Sequence, residues 1–212
     1  MYPAIMFAVS AVTAYLIGAF PTSYLLTKTV KGIDIRQAGS NNAGATNVLR
    51  VAGRLPALVT LIVDILKGVL VVTVVSVFFY GFEPELDYNF YRSLLGLMAI
   101  SGHIWPVFLR FHGGKGVATT LGVVGVIAFP ALSLSLVMWL VIFFATGYVS
   151  LASIVLLFTI PIFAAIMNYP FYTVLLLAVI AVIVIYKHSA NIKRLLRNEE
   201  NRTNLFKKTV RA

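Results

Sequence analysis

Residues 117–186 form a run of seventy residues without one Asp, Glu, Lys, Arg or His. A water-soluble domain carries about 25% charged residues, and no such domain could cover itself over that length, so the solvent of this segment is the bilayer. The whole chain follows the same pattern, with 60% of its 212 residues hydrophobic and 11% charged. Disorder, coiled coils and secreted disulfide scaffolds are excluded by those numbers. The absence of Cys removes thiolate chemistry, iron–sulfur clusters and Cys-ligated zinc. Backbone polar groups in lipid must be satisfied within helices or a closed barrel, and the continuous apolar runs, which lack period-2 alternation, select helices.

The net charge of +10 is concentrated in three segments: residues 28–54 carry +4, residues 110–115 carry +2 and residues 187–212 carry +6. Residues 81–92 carry −2, through Glu83, Glu85 and Asp87 against Arg92. Short basic loops stay in the cytoplasm, which puts those three segments on one side and the acidic one opposite. Residues 3–27 make a first span at about 20 residues per crossing. It lacks a basic leading region and its positive charges follow it, so it reads as an uncleaved anchor and not a signal peptide. Residues 55–80 and 93–109 supply the second and third spans. Lys115 and Lys187 on one side require an even number of crossings between them, and four of about 17–18 residues fit. Pro130, Gly147 and Asn168-Tyr169-Pro170 divide them. The expectation is an all-α, polytopic integral membrane protein of seven transmembrane helices, N-terminus outside and C-terminus cytoplasmic, with five longer spans as the alternative. Residues 1–212 make one membrane-embedded domain.

Polar residues cluster three times, always on the basic side. The first cluster is Gly39-Ser40-Asn41-Asn42-Ala43-Gly44-Ala45-Thr46-Asn47-Val48-Leu49-Arg50. Small residues let the backbone approach a ligand, and such a segment entering a helix presents free N–H groups to an anion. Thr46 and Arg50 then share a helix face. A flexible loop with an ordinary N-cap would look the same. The second runs from Ser101-Gly102-His103 through Pro106 to Gly113-Gly114-Lys115-Gly116. It is not a Walker A loop, because Leu109 stands at the first glycine position and Gly116 follows the lysine. A lysine among glycines can still offer an ammonium and several N–H groups to a phosphate; a tight turn with a topogenic lysine is the plainer account. In the third, His188 and Asn191 share a helix face at i, i+3, while Lys193, Arg194, Arg197, Lys207 and Lys208 suit a basic tail on anionic headgroups. Asp64 and Lys67, at i, i+3 in the second span, neutralise each other facing the bundle interior, as structural and working pairs both do.

The basic side holds no His-x4-Asp pair, no His-Glu-x-x-His and few carboxylates, so it offers tools for binding phosphate and no metal site. Taken together, Gly39-Ser40-x-Asn42-x-Gly44-Ala45-Thr46-Asn47-x-x-Arg50, then Ser101-x-His103-x-x-Pro106 with Gly113-Gly114-Lys115-Gly116-Val117-Ala118-Thr119, then His188-x-x-Asn191-Ile192-x-Arg194-Leu195, resemble the acyl-phosphate:glycerol-3-phosphate acyltransferase family (the PlsY type). Asp64-x-x-Lys67-Gly68 also fits. Asn41 and Asn198 stand where the family has Gly, and Asn is well suited to positive φ, so both turns survive. The resemblance implies a multi-pass enzyme of the bacterial inner membrane, active at its cytoplasmic side as a monomer. It would move an acyl group from acyl phosphate to the 1-hydroxyl of glycerol 3-phosphate. It implies no metal, no cofactor and no nucleic-acid partner, only those substrates and membrane lipid. Ser40, Arg50, Lys115, His188 and Asn191 would be catalytic, with Gly39, Asn42, Gly44, Thr46, Asn47, Ser101, His103, Gly113, Gly114, Gly116, Arg194 and Glu200 binding substrate or phosphate. An organic-phosphate transporter is the rival class; its charges belong near the midplane, often in repeated halves.

Overall fold

The computed structural model describes residues 2–82 and 86–202; Glu83, Glu85, Lys207 and Lys208 lie outside the described residues. The described residues form helices and no strand. Helix α1 (Tyr2–Ala19) breaks at Phe20-Pro21 and the chain resumes as α2 (Thr22–Lys31). The single first span expected from hydropathy is therefore jointed, because Pro21 has no N–H to return to the preceding turn. A short helix α3 (Ala45–Val51) leads into α4 (Arg54–Leu70), which passes through a π-helical turn at Val71–Val75 into α5 (Ser76–Tyr80). Together these three form one apolar element of 27 residues, Arg54–Tyr80.

Helix α6 (Tyr88–Ile104) begins five residues ahead of the apolar window. Asp87 caps it by accepting the Phe90 N–H at 2.9 Å, and Arg92 is accommodated in the helix with its guanidinium over the Tyr88 ring. The long charge-free run divides into four helices, α7 (Val117–Ile127), α8 (Phe129–Thr146), α9 (Val149–Ile166) and α10 (Phe171–Tyr186). Their joints lie at Ala128 ahead of Pro130, at Gly147 (φ +75°) and at the turn where Asn168 has φ +58°. Helix α11 (Ser189–Leu196) leaves α10 at a 59° bend.

Five helical elements are long and apolar enough to cross a bilayer, and a sixth is obtained if the bent α10–α11 pair is one crossing. Helix α7 is the exception to the four expected full spans. Its 11 residues rise only about 16 Å at ~1.5 Å each, roughly half of a ~30 Å hydrocarbon core.

Helix α1 packs on α6, α4 on α7, and α9 on both α8 and α10. Association in lipid relies on close backbone approach at small residues, and two crossings use it to the limit. A Cβ on Gly18 would stand 2.0 Å from the Ala99 carbonyl oxygen, and one on Gly102 would stand 2.1 Å from that of Tyr15. On the other pair, a Cβ on Gly122 would stand 2.0 Å from the Ile65 oxygen and one on Gly68 2.4 Å from the Thr119 oxygen. These two crossings bring the ends of α2, α4, α6 and α7 to one end of the bundle, with Asp87 at the far end of α6.

Alanine favours a helix by ~1 kcal/mol over glycine, so Gly125→Ala, with its nearest neighbour 3.6 Å away, should keep or raise the melting temperature in detergent. Gly122→Ala should lower it, by roughly 1–3 kcal/mol of stability. Equal melting temperatures for the two variants would show that the crossing relaxes freely.

Candidate active site

Asn47 organises the first loop. It is buried, and its Oδ1 accepts the Ser40 N–H at 2.8 Å while Nδ2 donates to the carbonyls of Ile35, Ala38 and Asn42 at 2.9–3.2 Å. The oxygen and the N–H groups of the amide are thereby engaged within the loop, so Asn47 shapes the loop around it. Gly39, at φ +61°, lies over that amide so closely that a Cβ would meet Asn47 Oδ1 at 2.3 Å. Gly44 caps α3, its carbonyl accepting from Asn47 and Val48, and the carbonyl of Asn42 is one of the four groups Asn47 holds. Asn41 takes φ +54°, the positive φ that the resemblance implied at a position where the family has Gly.

Held this way, the loop leaves donors over. The hydroxyls of Ser40 and Thr46 and the guanidinium of Arg50 have no hydrogen-bond partner among the described residues, and Arg50 is exposed. Two further ties fix the loop to its neighbours. Arg36 grips Asp34 through two nitrogens and donates to the Leu109 carbonyl at 2.9 Å, and that hydrogen bonding holds the Asp34 carboxyl below its usual range. Ser23 Oγ donates to the Ala43 carbonyl at 3.0 Å.

The second loop is wound tightly after α6. Arg110 and Phe111 both take positive φ, +52° and +64°, a conformation non-glycine residues hold at a cost of order 1 kcal/mol or more. Gly113 N–H donates to the Ile104 carbonyl and Gly114 N–H to that of His103; Gly116, at φ +93°, turns the chain into α7. His103 is buried behind this loop. Its Nδ1 faces Asp64 at 3.8 Å, and a Cβ on Gly114 would stand 2.1 Å from its Nε2. Both ends of the ring are thus occupied by the protein. Ser101 lies earlier on α6, its carbonyl accepting from Trp105, and no hydrogen bond joins its side chain to the other candidate residues among those described.

Lys115 projects from this loop to the α10–α11 bend. Its Nζ donates to Asn191 Oδ1 at 2.6 Å, and Asn191 Nδ2 donates to Glu200 Oε1 at 2.7 Å. Glu200 also accepts from Ser150 at 2.9 Å and from Arg194 Nε at 2.7 Å. Burial works against the Glu200 carboxylate, but these hydrogen bonds and Arg194 outweigh it and leave its pKa below the ordinary value. Burial likewise pushes the Lys115 ammonium down to about 8; Glu200 opposes the shift, and the charges of Arg194 and Arg50 add to it. Two of the three Lys115 donors have no protein partner among the described residues. His188 lies in the same field, since the charges of Lys115 and Glu200 act on it. Its Nδ1 is 2.8 Å from the Val184 carbonyl. A carbonyl only accepts, so Nδ1 carries the proton and neutral Nε2 presents a lone pair.

The structure therefore brings Arg50, Lys115, His188, Asn191, Arg194 and Glu200 together and sets the Ser40–Thr46 loop at the same end of the bundle, with His103 behind and Ser101 apart. Arg194, expected on substrate or lipid headgroups, is turned onto Glu200. Asn198, at φ +57°, makes the turn that returns Glu200 to Asn191. Ser150 was not legible as a site residue, being one serine in a charge-free run. Asp34-x-Arg36 did carry a signal, a charged pair immediately ahead of the first cluster.

Comparison with known proteins places these features in one family. The glycerol-3-phosphate acyltransferase family profile matches residues 8–198. A glycerol-3-phosphate acyltransferase of Bartonella henselae is 43% identical over 190 residues, 89% of this chain and 88% of that one. One from Thermotoga petrophila is 39% identical over 93% of this chain and 96% of its own. A crystal structure of PlsY, an integral membrane glycerol 3-phosphate acyltransferase in its glycerol 3-phosphate form, superposes with a TM-score of 0.84 at 35% identity, covering 95% of this chain and 99% of that one. The lysophosphatidic acid form of PlsY superposes with a TM-score of 0.80.

An ammonium titrating at about 8 should appear in the pH dependence. Substrate capture, kcat/KM, should fall above about pH 8, and kcat should hold to higher pH because a bound phosphate favours the charged lysine. Lys115→Arg, charged throughout, should lack that basic limb at whatever residual rate it retains. A wild-type profile flat to pH 10 would contradict the assignment.

Proposed function

This chain belongs to the glycerol-3-phosphate acyltransferase family, and from that premise we propose that it transfers a fatty acyl group from acyl phosphate to the 1-hydroxyl of glycerol 3-phosphate, releasing lysophosphatidic acid and phosphate. The observation that carries this reading is that Lys115, with two unengaged donors, shares one field with the Arg50 charge and with His188, whose Nε2 is a free acceptor. The PlsY forms with glycerol 3-phosphate and lysophosphatidic acid support the acceptor and the product.

The electrostatic problem of the reaction is large. Two phosphate dianions about 5 Å apart at an effective dielectric near 20 repel by on the order of 10 kcal/mol. Arg50 and Lys115 offset that repulsion and make the encounter effectively intramolecular. Ser40 and the loop that Asn47 shapes receive the acyl phosphate. Lys115, held beside Asn191 and His188, receives the phosphate of the acceptor. Neutral His188 accepts from a glycerol hydroxyl through Nε2 and orients it. The 1-hydroxyl oxygen attacks the acyl carbonyl carbon, and the bond from that carbon to the phosphate oxygen breaks. Phosphate departs, and the hydroxyl proton passes to a substrate phosphate oxygen. The cations stabilise the oxyanion and the leaving group.

The remaining features of the reading follow from charge and length. Seven crossings result if α7 and α10 each complete a span, with α7 starting below the membrane surface because the 105–116 loop is sunk against α6. The three basic segments place the site and the C-terminus in the cytoplasm and the N-terminus outside, in the inner membrane of a bacterium. The active unit in this reading is a monomer.

Detergent-solubilised protein given palmitoyl phosphate and glycerol 3-phosphate should release phosphate, with no release when glycerol 3-phosphate is omitted. Lys115→Ala should reduce the rate by about 10²–10³ or more. A phosphate transporter would give no acceptor-dependent release from the purified protein, and that result would overturn the assignment.

A further inference from the structure

A second set of ionisable groups lies beneath the loop that carries Lys115. Lys67 Nζ donates to Asp64 Oδ1 at 2.6 Å and to the Phe20 carbonyl at 2.5 Å, with the Phe20 ring 5.8 Å away. That carbonyl stands at the break between α1 and α2, where Pro21 supplies no N–H to the preceding turn. Asp64 and Lys67 are 2% and 5% exposed and His103 is 8% exposed. The cavity bounded by these three, Ser23, Gly113 and Gly114 measures about 10 Å³. Such a space is about the size of one water molecule.

The contacts of this cluster run toward the loop. From Phe20 the links pass through Lys67 and Asp64 to His103, whose Nε2 abuts Gly114 and whose carbonyl accepts the Gly114 N–H at 3.1 Å. The Ala43 carbonyl, held by Ser23, reaches the same point, 3.0 Å from where a Gly114 Cβ would be. Gly114 is thus the meeting place of both loops and of the buried cluster, and Lys115 is the next residue. We propose that Asp64, Lys67 and His103 are positioning residues that set the depth of the Gly113-Gly114-Lys115 loop and thereby the affinity for the acceptor phosphate. The proposal rests on the reading that Lys115 holds that phosphate.

A buried ion pair can often be replaced by neutral groups of like volume without loss of stability, whereas removing one partner strands a charge. The test is therefore the double variant Asp64→Asn/Lys67→Met, purified in detergent, with KM and kcat measured for each substrate. A melting temperature within a few degrees of wild type, with KM for glycerol 3-phosphate raised about tenfold and KM for palmitoyl phosphate changed less than twofold, is the expected result. Wild-type constants in a folded double variant overturn the proposal. Should that variant not fold, Gly114→Ala and Gly114→Ala/His103→Ala decide instead. Gly114→Ala drives a Cβ into the imidazole and should raise the same KM, and truncating His103 should recover at least fivefold of it; no recovery overturns the proposal. Lys115→Ala, assayed in parallel, separates the two levels. If it retains wild-type activity the phosphate reading itself fails, whereas an inactive Lys115→Ala beside a fully normal Asp64→Asn/Lys67→Met removes only the positioning role.

Discussion

The hydrogen bond from Lys115 to Asn191 is the contact on which the site depends, because it solves a problem that a salt bridge cannot. A lysine that meets a phosphate at a lipid boundary, as proposed for Lys115, needs a fixed position, and a carboxylate would fix it strongly. A directly paired carboxylate, however, would neutralise the ammonium and compete with the incoming anion. Here an amide is interposed. Asn191 accepts from Lys115 at 2.6 Å and donates to Glu200 at 2.7 Å, so the anion holds the lysine at one remove. Glu200 is further satisfied by Ser150 and Arg194, which leaves it a poor partner for any direct approach by Lys115. The cation keeps two donors unengaged among the described residues, which the proposed reaction uses for substrate.

The rest of the bundle can be understood as what makes that contact possible. Lys115 belongs to the loop before α7, Asn191 to α11, and Glu200 to the segment after α11, so three separate parts of the chain must meet. The glycine crossings of α1 on α6 and of α4 on α7 bring backbones as near as helices allow. They leave little freedom for the ends of α6 and α7 to drift, and those ends carry the loop. In lipid, where apolar burial gives no driving force between helices, close packing is the available source of rigidity. The bend between α10 and α11 then turns the last helix back across the site, presenting Asn191 while His188 keeps its hydrogen bond to Val184.

Much of this was legible before any coordinates. The charge pattern placed the polar loops on one side, and Pro130, Gly147 and Asn168-Tyr169-Pro170 marked the joints of the long apolar run because backbone rules act locally. The positive φ of Asn41 and Asn198 followed from the resemblance, which has Gly at both positions, and from the tolerance of Asn for that region. What could not be read depended on who meets whom. Asn47 has the composition of a ligand-binding amide, yet its neighbours in space are four backbone groups of its own loop. Ser150 carries no signal at all until Glu200 folds against it. That α7 has only 11 residues was not legible, because an apolar run does not reveal where a helix begins, only that it is greasy. Lys67 looked like half of an i, i+3 pair, and its second partner, the Phe20 carbonyl, exists only because α1 breaks 47 residues earlier.

His188 shows how far a single hydrogen bond can constrain the chemistry. The Val184 carbonyl is an acceptor with no proton to give, so the imidazole must place its proton on Nδ1. In the neutral ring that leaves Nε2 as an acceptor, able to receive a hydroxyl proton in a hydrogen bond but with no donor to offer the leaving phosphate. A carbonyl partner also differs from a carboxylate one. The carboxylate of a catalytic triad stabilises the imidazolium that forms as the base takes a proton, whereas the Val184 carbonyl offers only a dipole, and Lys115 nearby disfavours a second positive charge. In the proposed reaction His188 therefore orients a hydroxyl more than it keeps its proton. There the acyl phosphate, with a good leaving group already in place, asks for no stronger base than the phosphate oxygens the cations gather.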